Sequence, residues 1–142
     1  MSLPQVLLFA RAAQKAGADA IIAMAPARTN QAVAMEMFKR MADNFDGPIV
    51  LQNAGMYAPL TGEQIAGLIE EVPSIEYIKE ERPPGPKHIA EVYELVGHKV
   101  KTIFAAPRLR FLPDELTRTT AACPPAKSPT CWPKSWSCGG RR

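Results

Sequence analysis

The chain has 142 residues, of which 46% are hydrophobic and 22% charged, and its formal net charge is +3. This length suits one domain with its own core, and the composition is typical of a globular protein. No stretch reaches the ~18 consecutive apolar residues of a membrane-spanning helix, and no basic segment precedes an apolar one at the N-terminus. We therefore expect no membrane contact, no secretory signal and a cytoplasmic location.

The positive charge lies at the C-terminal end. Residues 1–118 contain 13 Lys and Arg against 14 Asp and Glu, whereas residues 119–142 contain four basic residues and no acid. Because the body of the chain is nearly neutral, we expect no nucleic-acid partner. Cys123, Cys131 and Cys138 also lie in this end, and their spacing does not match the C-x-x-C pattern of zinc or redox sites. The sequence therefore predicts no metal site.

Helices and buried strands alternate from the start of the chain. Apolar residues recur at helical spacing from Leu3 to Ala16, and Gly17 is a plausible helix stop. Residues 18–24 are apolar apart from Asp19, as in a parallel strand buried on both faces. Asn30 is expected to cap a second helix that reaches about Asp43, with Val33 facing inward.

The same alternation continues to residue 118. Thr61 and Gln64 form a capping box, which predicts a helix start. The proline-rich residues 82–86 are predicted to be a loop, and Tyr93 is predicted to face inward from the helix that follows. The remaining predicted elements are strands at 49–52, 74–81 and 100–104 and helices at 61–71, 87–96 and 109–118.

This α/β alternation, without hairpin signals, requires a parallel sheet with right-handed crossovers. Two architectures fit: an open doubly wound sheet, or part of a (β/α)₈ barrel. A whole barrel needs roughly 250 residues, so the second architecture means a partial barrel. Its bare strand edges would favour self-association into a homo-oligomer.

Lys79 is the most informative residue for chemistry, because the predicted third strand ends there. Parallel α/β sheets place their active sites at the C-terminal ends of strands, and a lysine in that position can form a Schiff base. The alternative is a solvated Lys-Glu-Glu run at the start of a loop. Glu80 and Glu81 are accordingly either a solvated pair or groups that tune the lysine or transfer protons.

Three segments resemble one enzyme family in their order and spacing. They are residues 16–20 (AGADA), 48–53 (PIVLQN) and 77–81 (YIKEE), and residues 111–116 resemble a helix found after the seventh strand in some members. The family is that of dihydrodipicolinate synthase and N-acetylneuraminate lyase, which are Schiff-base (β/α)₈ enzymes. The resemblance covers residues 3–118 and identifies the four predicted strands with barrel strands four to seven.

The resemblance implies a partial TIM barrel over residues 1–118 and a lyase, aldolase or dehydratase that acts on pyruvate or another 2-keto acid. No metal or organic cofactor is implied. Lys79 matches the lysine that forms the imine. Substrate contacts are expected from Gln52 at the end of the second strand, from Asn53 in the loop after it, from Glu80, and from Arg110, which could meet a carboxylate.

Some features depart from the family pattern. The family commonly has a tyrosine as proton relay at the position of Gln52, and an amide does not titrate; some keto-sugar-acid dehydratase-like branches also lack it. Tyr57 is either a substitute for this tyrosine or a surface aromatic. The family's Thr-Thr carboxylate-binding motif belongs to strand two, which these residues do not include. We therefore expect a truncated, poorly active enzyme; the alternatives are a non-catalytic α/β module and a pseudoenzyme subunit that lends its half-barrel to a partner.

Residues 119–142 lose the pattern, and four prolines within them oppose regular structure. We predict an irregular, disordered tail. If the codons from Arg118 onwards are read in the frame that starts on the third base, permissible codons encode a small-residue strand followed by an amphipathic helix. The change in character of the tail is therefore explained either by a frameshift near Arg118 or by a natural disordered tail. The nucleotide sequence distinguishes the two, since the frameshift requires the third-base frame to be open.

Overall fold

A computed structural model describes residues 2–26, 30–54, 59–105 and 121–122. The predicted alternation of helices and strands is confirmed along them. The elements are α1 (Leu3–Ala16), β1 (Ile21–Met24), α2 (Gln31–Ala42), β2 (Ile49–Ala54), α3 (Gly62–Glu71), β3 (Ile75–Glu81), α4 (Gly85–Val96), β4 (Thr102–Ala105) and β5 (Ala121–Ala122). Among the described helices, none has the length and apolar character needed to cross a membrane.

The strands form one sheet in the order β1-β2-β3-β4-β5, and each strand pairs in parallel with the next. A doubly wound sheet reverses its strand order at a switch point, whereas this order never reverses. The strand order therefore decides between the two predicted architectures, in favour of part of a (β/α)₈ barrel.

The hydrophobic core lies between one face of the sheet and the helices. Every second residue of β2 and β4 is buried there, as in Leu51 and Ile103, and in β3 the same alternation holds from Ile78 onwards. Because strand side chains alternate between faces, the intervening residues point to the other side, which is the inside in a barrel. The helix residues in the same core are Met37, Phe38, Met41, Ile65, Leu68, Ile69, Val92 and Val96.

β3 contains one residue more than β2 over their paired length. The first residue of β2 pairs with Ile75 and the second with Tyr77, so Glu76 has no counterpart in β2. A β-bulge of this kind exchanges the faces of all residues that follow it. As a result, Lys79 lies opposite Gln52 and shares its face of the sheet.

The predicted helix ends are confirmed at three positions. Gly17 ends α1 in the left-handed conformation, with φ of 70°. The side chain of Asn30 accepts a hydrogen bond from the backbone N–H of Val33 at 3.0 Å and caps α2. Thr61 and Gln64 exchange the two hydrogen bonds of the capping box at the start of α3.

α4 begins earlier than predicted. Residues 85 and 86 belong to the helix, whereas the sequence predicted a loop through residue 86. A proline is compatible with the first helical turn, because its missing N–H would have no partner there in any case. Two predicted inward residues are also wrong, since Val33 and Tyr93 are exposed on the outer surfaces of α2 and α4.

The sequence predicted no strand after residue 118, but Ala121–Ala122 pairs with β4. Backbone pairing needs no side-chain pattern, so composition gives no signal for a strand this short. The predicted helix at 109–118 and the remainder of the predicted tail lie outside the described residues, as do Tyr57, Arg110 and the three cysteines.

Candidate functional site

The amine of Lys79 lies at the C-terminal end of β3, on the face of the sheet without helices. Its cross-strand neighbours are Gln52 in β2 and Phe104 in β4. The lysine side chain is 17% exposed, so it is partly shielded by these neighbours but still reachable from solvent. Lys79 therefore lies near a strand end, as the sequence predicted, and its pairing with Gln52 turns its amine to the open face of the sheet.

Glu81 forms an ion pair with Lys79. Because the two residues are two positions apart on one strand, both side chains point to the same face. The distance from Lys79 Nζ to Glu81 Oε1 is 3.0 Å, and the Glu81 side chain is 20% exposed. Gln52 donates a hydrogen bond from Nε2 to Glu81 Oε2 at 2.5 Å. An amine, a carboxylate and an amide therefore meet at one point on the open face.

Glu80 points the opposite way and is fully buried on the helix-covered face. Its Oε2 accepts a hydrogen bond from Asn53 Nδ2 at 2.8 Å, and its Oε1 accepts one from the backbone N–H of Arg82 at 2.7 Å. Burial raises the pKa of Glu80 above its ordinary value, and the hydrogen bonds from Asn53 and Arg82 oppose that rise.

Asn53 and Arg82 join this carboxylate to the two loops that flank the strand ends. Asn53 accepts a hydrogen bond from the backbone N–H of Leu60 at 2.8 Å and donates to the carbonyl of Leu60 at 3.1 Å. Arg82 donates from Nη1 to the same carbonyl at 2.9 Å. One buried carboxylate therefore anchors both the β2–α3 and the β3–α4 connections, immediately behind Lys79.

His88 extends the network into α4. Arg82 Nε donates to His88 Nε2 at 3.0 Å, so that nitrogen is the acceptor and the ring proton lies on Nδ1. Nδ1 lies 3.1 Å from Glu91 Oε2 and donates to it. The pKa of Glu91 is lowered, first by this hydrogen bond and then by one from the backbone N–H of Gly62.

The structure brings together part of the predicted set of site residues. Gln52 lies beside Lys79, as expected of a residue that borders the site. Asn53 and Glu80 do not, because the alternation of strand side chains turns them towards the helices, where they are 3% and 1% exposed. This placement does not favour the predicted substrate contact of Asn53 and Glu80, whose hydrogen bonds instead join the strand ends to the loops. Arg110 lies outside the described residues.

The part of the chain that the structure describes holds no group of three or more His, Cys, Asp or Glu residues suited to a metal ion. A groove of about 640 Å³ runs along the open edge of β1, between α1 and α2, and reaches Gln52. Its lining is mainly apolar, with Phe9, Ile22 and Met24 among the residues.

No protein-family model matches the sequence, and no curated protein matches it. Solved structures share its fold. The 4-hydroxy-tetrahydrodipicolinate synthase from Methylacidiphilum fumariolicum SolV is 19% identical, with a TM-score of 0.78 over 89% of this chain and 43% of that chain. A prophage protein of the dihydrodipicolinic acid synthase family from E. coli K12, solved with pyruvate, is 21% identical, with a TM-score of 0.75 over 85% and 43%. The 2-keto 3-deoxygluconate aldolase from Picrophilus torridus is 19% identical, with a TM-score of 0.71 over 86% and 45%.

This chain spans about two fifths of the length of the solved structures that it matches, between 39% and 45% in the proteins compared. The resemblance in the sequence is confirmed at the level of the fold. The described residues share the fold of part of a (β/α)₈ barrel, as in these solved structures.

Proposed function

We propose that this chain carries the imine-forming part of a lyase or aldolase site for pyruvate or another 2-keto acid. One observation carries the proposal: the amine of Lys79 lies at a strand end, on the open face of the sheet, in contact with a carboxylate at 3.0 Å. The comparisons support the choice of substrate, since one similar protein was solved with pyruvate and another is a 2-keto 3-deoxygluconate aldolase.

The chemistry follows from what an imine does to a keto acid. The amine of Lys79 attacks the keto carbon and water is lost, which leaves a protonated imine on the lysine. This positive nitrogen accepts the electron pair of a neighbouring C–C or C–H bond as that bond breaks. The same electron sink serves C–C cleavage, C–C formation and loss of a hydroxyl group, so the proposal covers lyase, aldolase and dehydratase reactions.

Trapping of the imine tests the proposal on the chain as it stands. Incubation with pyruvate and borohydride should reduce the imine to a stable adduct, which peptide mapping by mass spectrometry should locate on Lys79. Lys79→Ala should lose this adduct. Lys101→Ala is the matched control. Lys101 also forms an ion pair with a glutamate, but its side chain is 63% exposed, so it should be labelled only at background level. Equal labelling of Lys79 and Lys101 would contradict the proposal.

The proposal includes low turnover, because the chain spans about two fifths of the solved barrels and a complete site draws residues from several strands. We expect imine formation to be detectable and multiple turnover to be weak. We also place the chain in the cytoplasm, with a small 2-keto acid as its ligand and self-association through the open edge of β1.

A second candidate is a subunit without chemistry that contributes its sheet to a partner. It is favoured by Ile22 and Met24, which are 54% and 39% exposed on the same open face as Lys79. The trapping experiment separates the two candidates, because a purely structural subunit has no reason to label Lys79 above Lys101.

A further inference from the structure

We propose that Glu81 is the proton carrier for imine formation at Lys79. The inference rests on the proposed function, since it concerns the same lysine. Among the described residues, Glu81 is the acid in an ion pair with this amine, at 3.0 Å, which is within the reach of direct proton transfer. Glu81 therefore touches the reacting nitrogen, as a catalytic acid–base group must.

Imine formation needs a group that both takes and returns a proton. A lysine ammonium has no lone pair, so one proton must leave before nitrogen can attack. Later, the carbinolamine hydroxyl must gain a proton before it leaves as water. One carboxylate beside the nitrogen can do both, because the proton that it takes in the first step is the one that it returns in the last.

The steps balance with Glu81 as the only acid–base group. Lys79 gives one proton to Glu81 Oε1, and the nitrogen lone pair then bonds to the keto carbon while the carbonyl π pair moves to oxygen. A second proton passes from nitrogen to that oxygen. Glu81 returns its proton to the resulting hydroxyl, the C–O bond breaks, and water leaves. The nitrogen lone pair then forms the C=N bond, and the imine keeps one N–H and the positive charge.

The neighbouring polar groups are unsuited to this role. Glu80 is buried on the opposite face of the sheet and bonded to Asn53. Gln52 lies on the correct face, but an amide does not exchange a proton in the physiological range. Gln52 instead holds Glu81 Oε2 at 2.5 Å, which leaves Oε1 directed at Lys79. Gln52 is accordingly a positioning residue for the carboxylate.

The test is the rate at which Lys79 is trapped by borohydride in pyruvate, measured across a pH series. Glu81→Gln should slow trapping by about 100-fold, within the usual effect of a general acid–base group. Glu81→Asp should retain more of the rate. Added formate should speed the reaction of Glu81→Ala, because a small carboxylate can occupy the space left by the side chain, and a purely structural role predicts no such rescue.

Glu71→Gln is the matched control. Glu71 forms a surface ion pair with Lys39 at 2.8 Å, so this variant removes a carboxylate from a Glu–Lys pair away from Lys79. The rate at which Lys79 is trapped should not change. If the unmodified chain traps no pyruvate on Lys79, both proposals fail together. If it traps pyruvate and folded Glu81→Gln does so at the same rate and with the same pH profile, only the role of Glu81 is overturned.

Discussion

Replacement of Asn53 by alanine is expected to be among the most destabilising single changes in the described fold. The side chain is 3% exposed and bonds to the backbone of Leu60 and to Glu80 Oε2. Alanine would leave the N–H of Leu60 and one oxygen of Glu80 without these partners, whereas the carbonyl of Leu60 would keep Arg82. Each buried polar group without a partner costs about 1–3 kcal/mol, and a charged one costs more, so we expect a loss of about 4 kcal/mol.

Urea unfolding followed by circular dichroism measures this loss as a lower transition midpoint. Asn44→Ala is the control. Asn44 also makes two side-chain hydrogen bonds, with Arg11 and the carbonyl of Arg40, but at the protein surface. Water can replace those bonds, so we expect a cost below about 1 kcal/mol. If the two substitutions have equal effects, the Asn53–Glu80 contact does not support the strand ends as argued.

Three further predictions concern pH, backbone and core. Burial raises the pKa of Glu80 above its unfolded-state value of about 4.5, so the folded chain binds a proton at this carboxylate more tightly than the unfolded chain does. This contribution to stability is therefore present at lower pH and is lost as the pH rises through the folded-state pKa. Glu80→Gln should remove this part of the pH dependence of the unfolding free energy, measured by urea titrations above pH 4.5. Gly17→Ala should cost about 1 kcal/mol in thermal melts, because φ is 70° there and an L side chain is strained in that region even with nothing within 4 Å of it. Gly67→Ala, inside α3, should be neutral or stabilising in the same melts, because the atom nearest to the new methyl group, at 3.2 Å, is the end of the flexible Gln31 side chain. Leu68→Ala should cost about 2–5 kcal/mol in urea unfolding because Leu68 is fully buried, while Leu8→Ala, at a residue 65% exposed, should cost almost nothing.

Short-range patterns were enough to predict the four helices α1 to α4 and the four strands β1 to β4. The caps at Asn30, Thr61 and Gly17 depend on residues one to three positions apart, so they can be read directly from the sequence. The start of α4 could not, because prolines that oppose a helix interior are compatible with a first turn. The barrel-type strand order is a long-range property, and the resemblance of the motifs pointed to it where periodicity left two architectures open.

The site was harder to predict than the fold, because it depends on contacts between distant residues. The sequence named Lys79 and Gln52 as site candidates, and the pairing of β2 and β3 sets them opposite each other, but the sequence gave no means of separating Glu80 from Glu81. The surroundings of the two carboxylates differ because neighbouring side chains in a strand face opposite ways. The hydrogen bond between Arg82 and His88 was not anticipated, since it joins a loop to a helix and no spacing rule identifies such a pair.

The bulge at Glu76 sets which face of the sheet Lys79 occupies. If Glu76 instead paired with Val50 in a regular ladder, Lys79 would lie opposite Asn53, its charged amine would enter the layer beneath the helices, and Ile78 would reach the open side. Deletion of Glu76 removes only the residue without a counterpart, so Lys79 should stay opposite Gln52 and keep its labelling by pyruvate in molecules that fold. The orientation of the lysine is thus decided three residues upstream of it, by the way in which two strands pair.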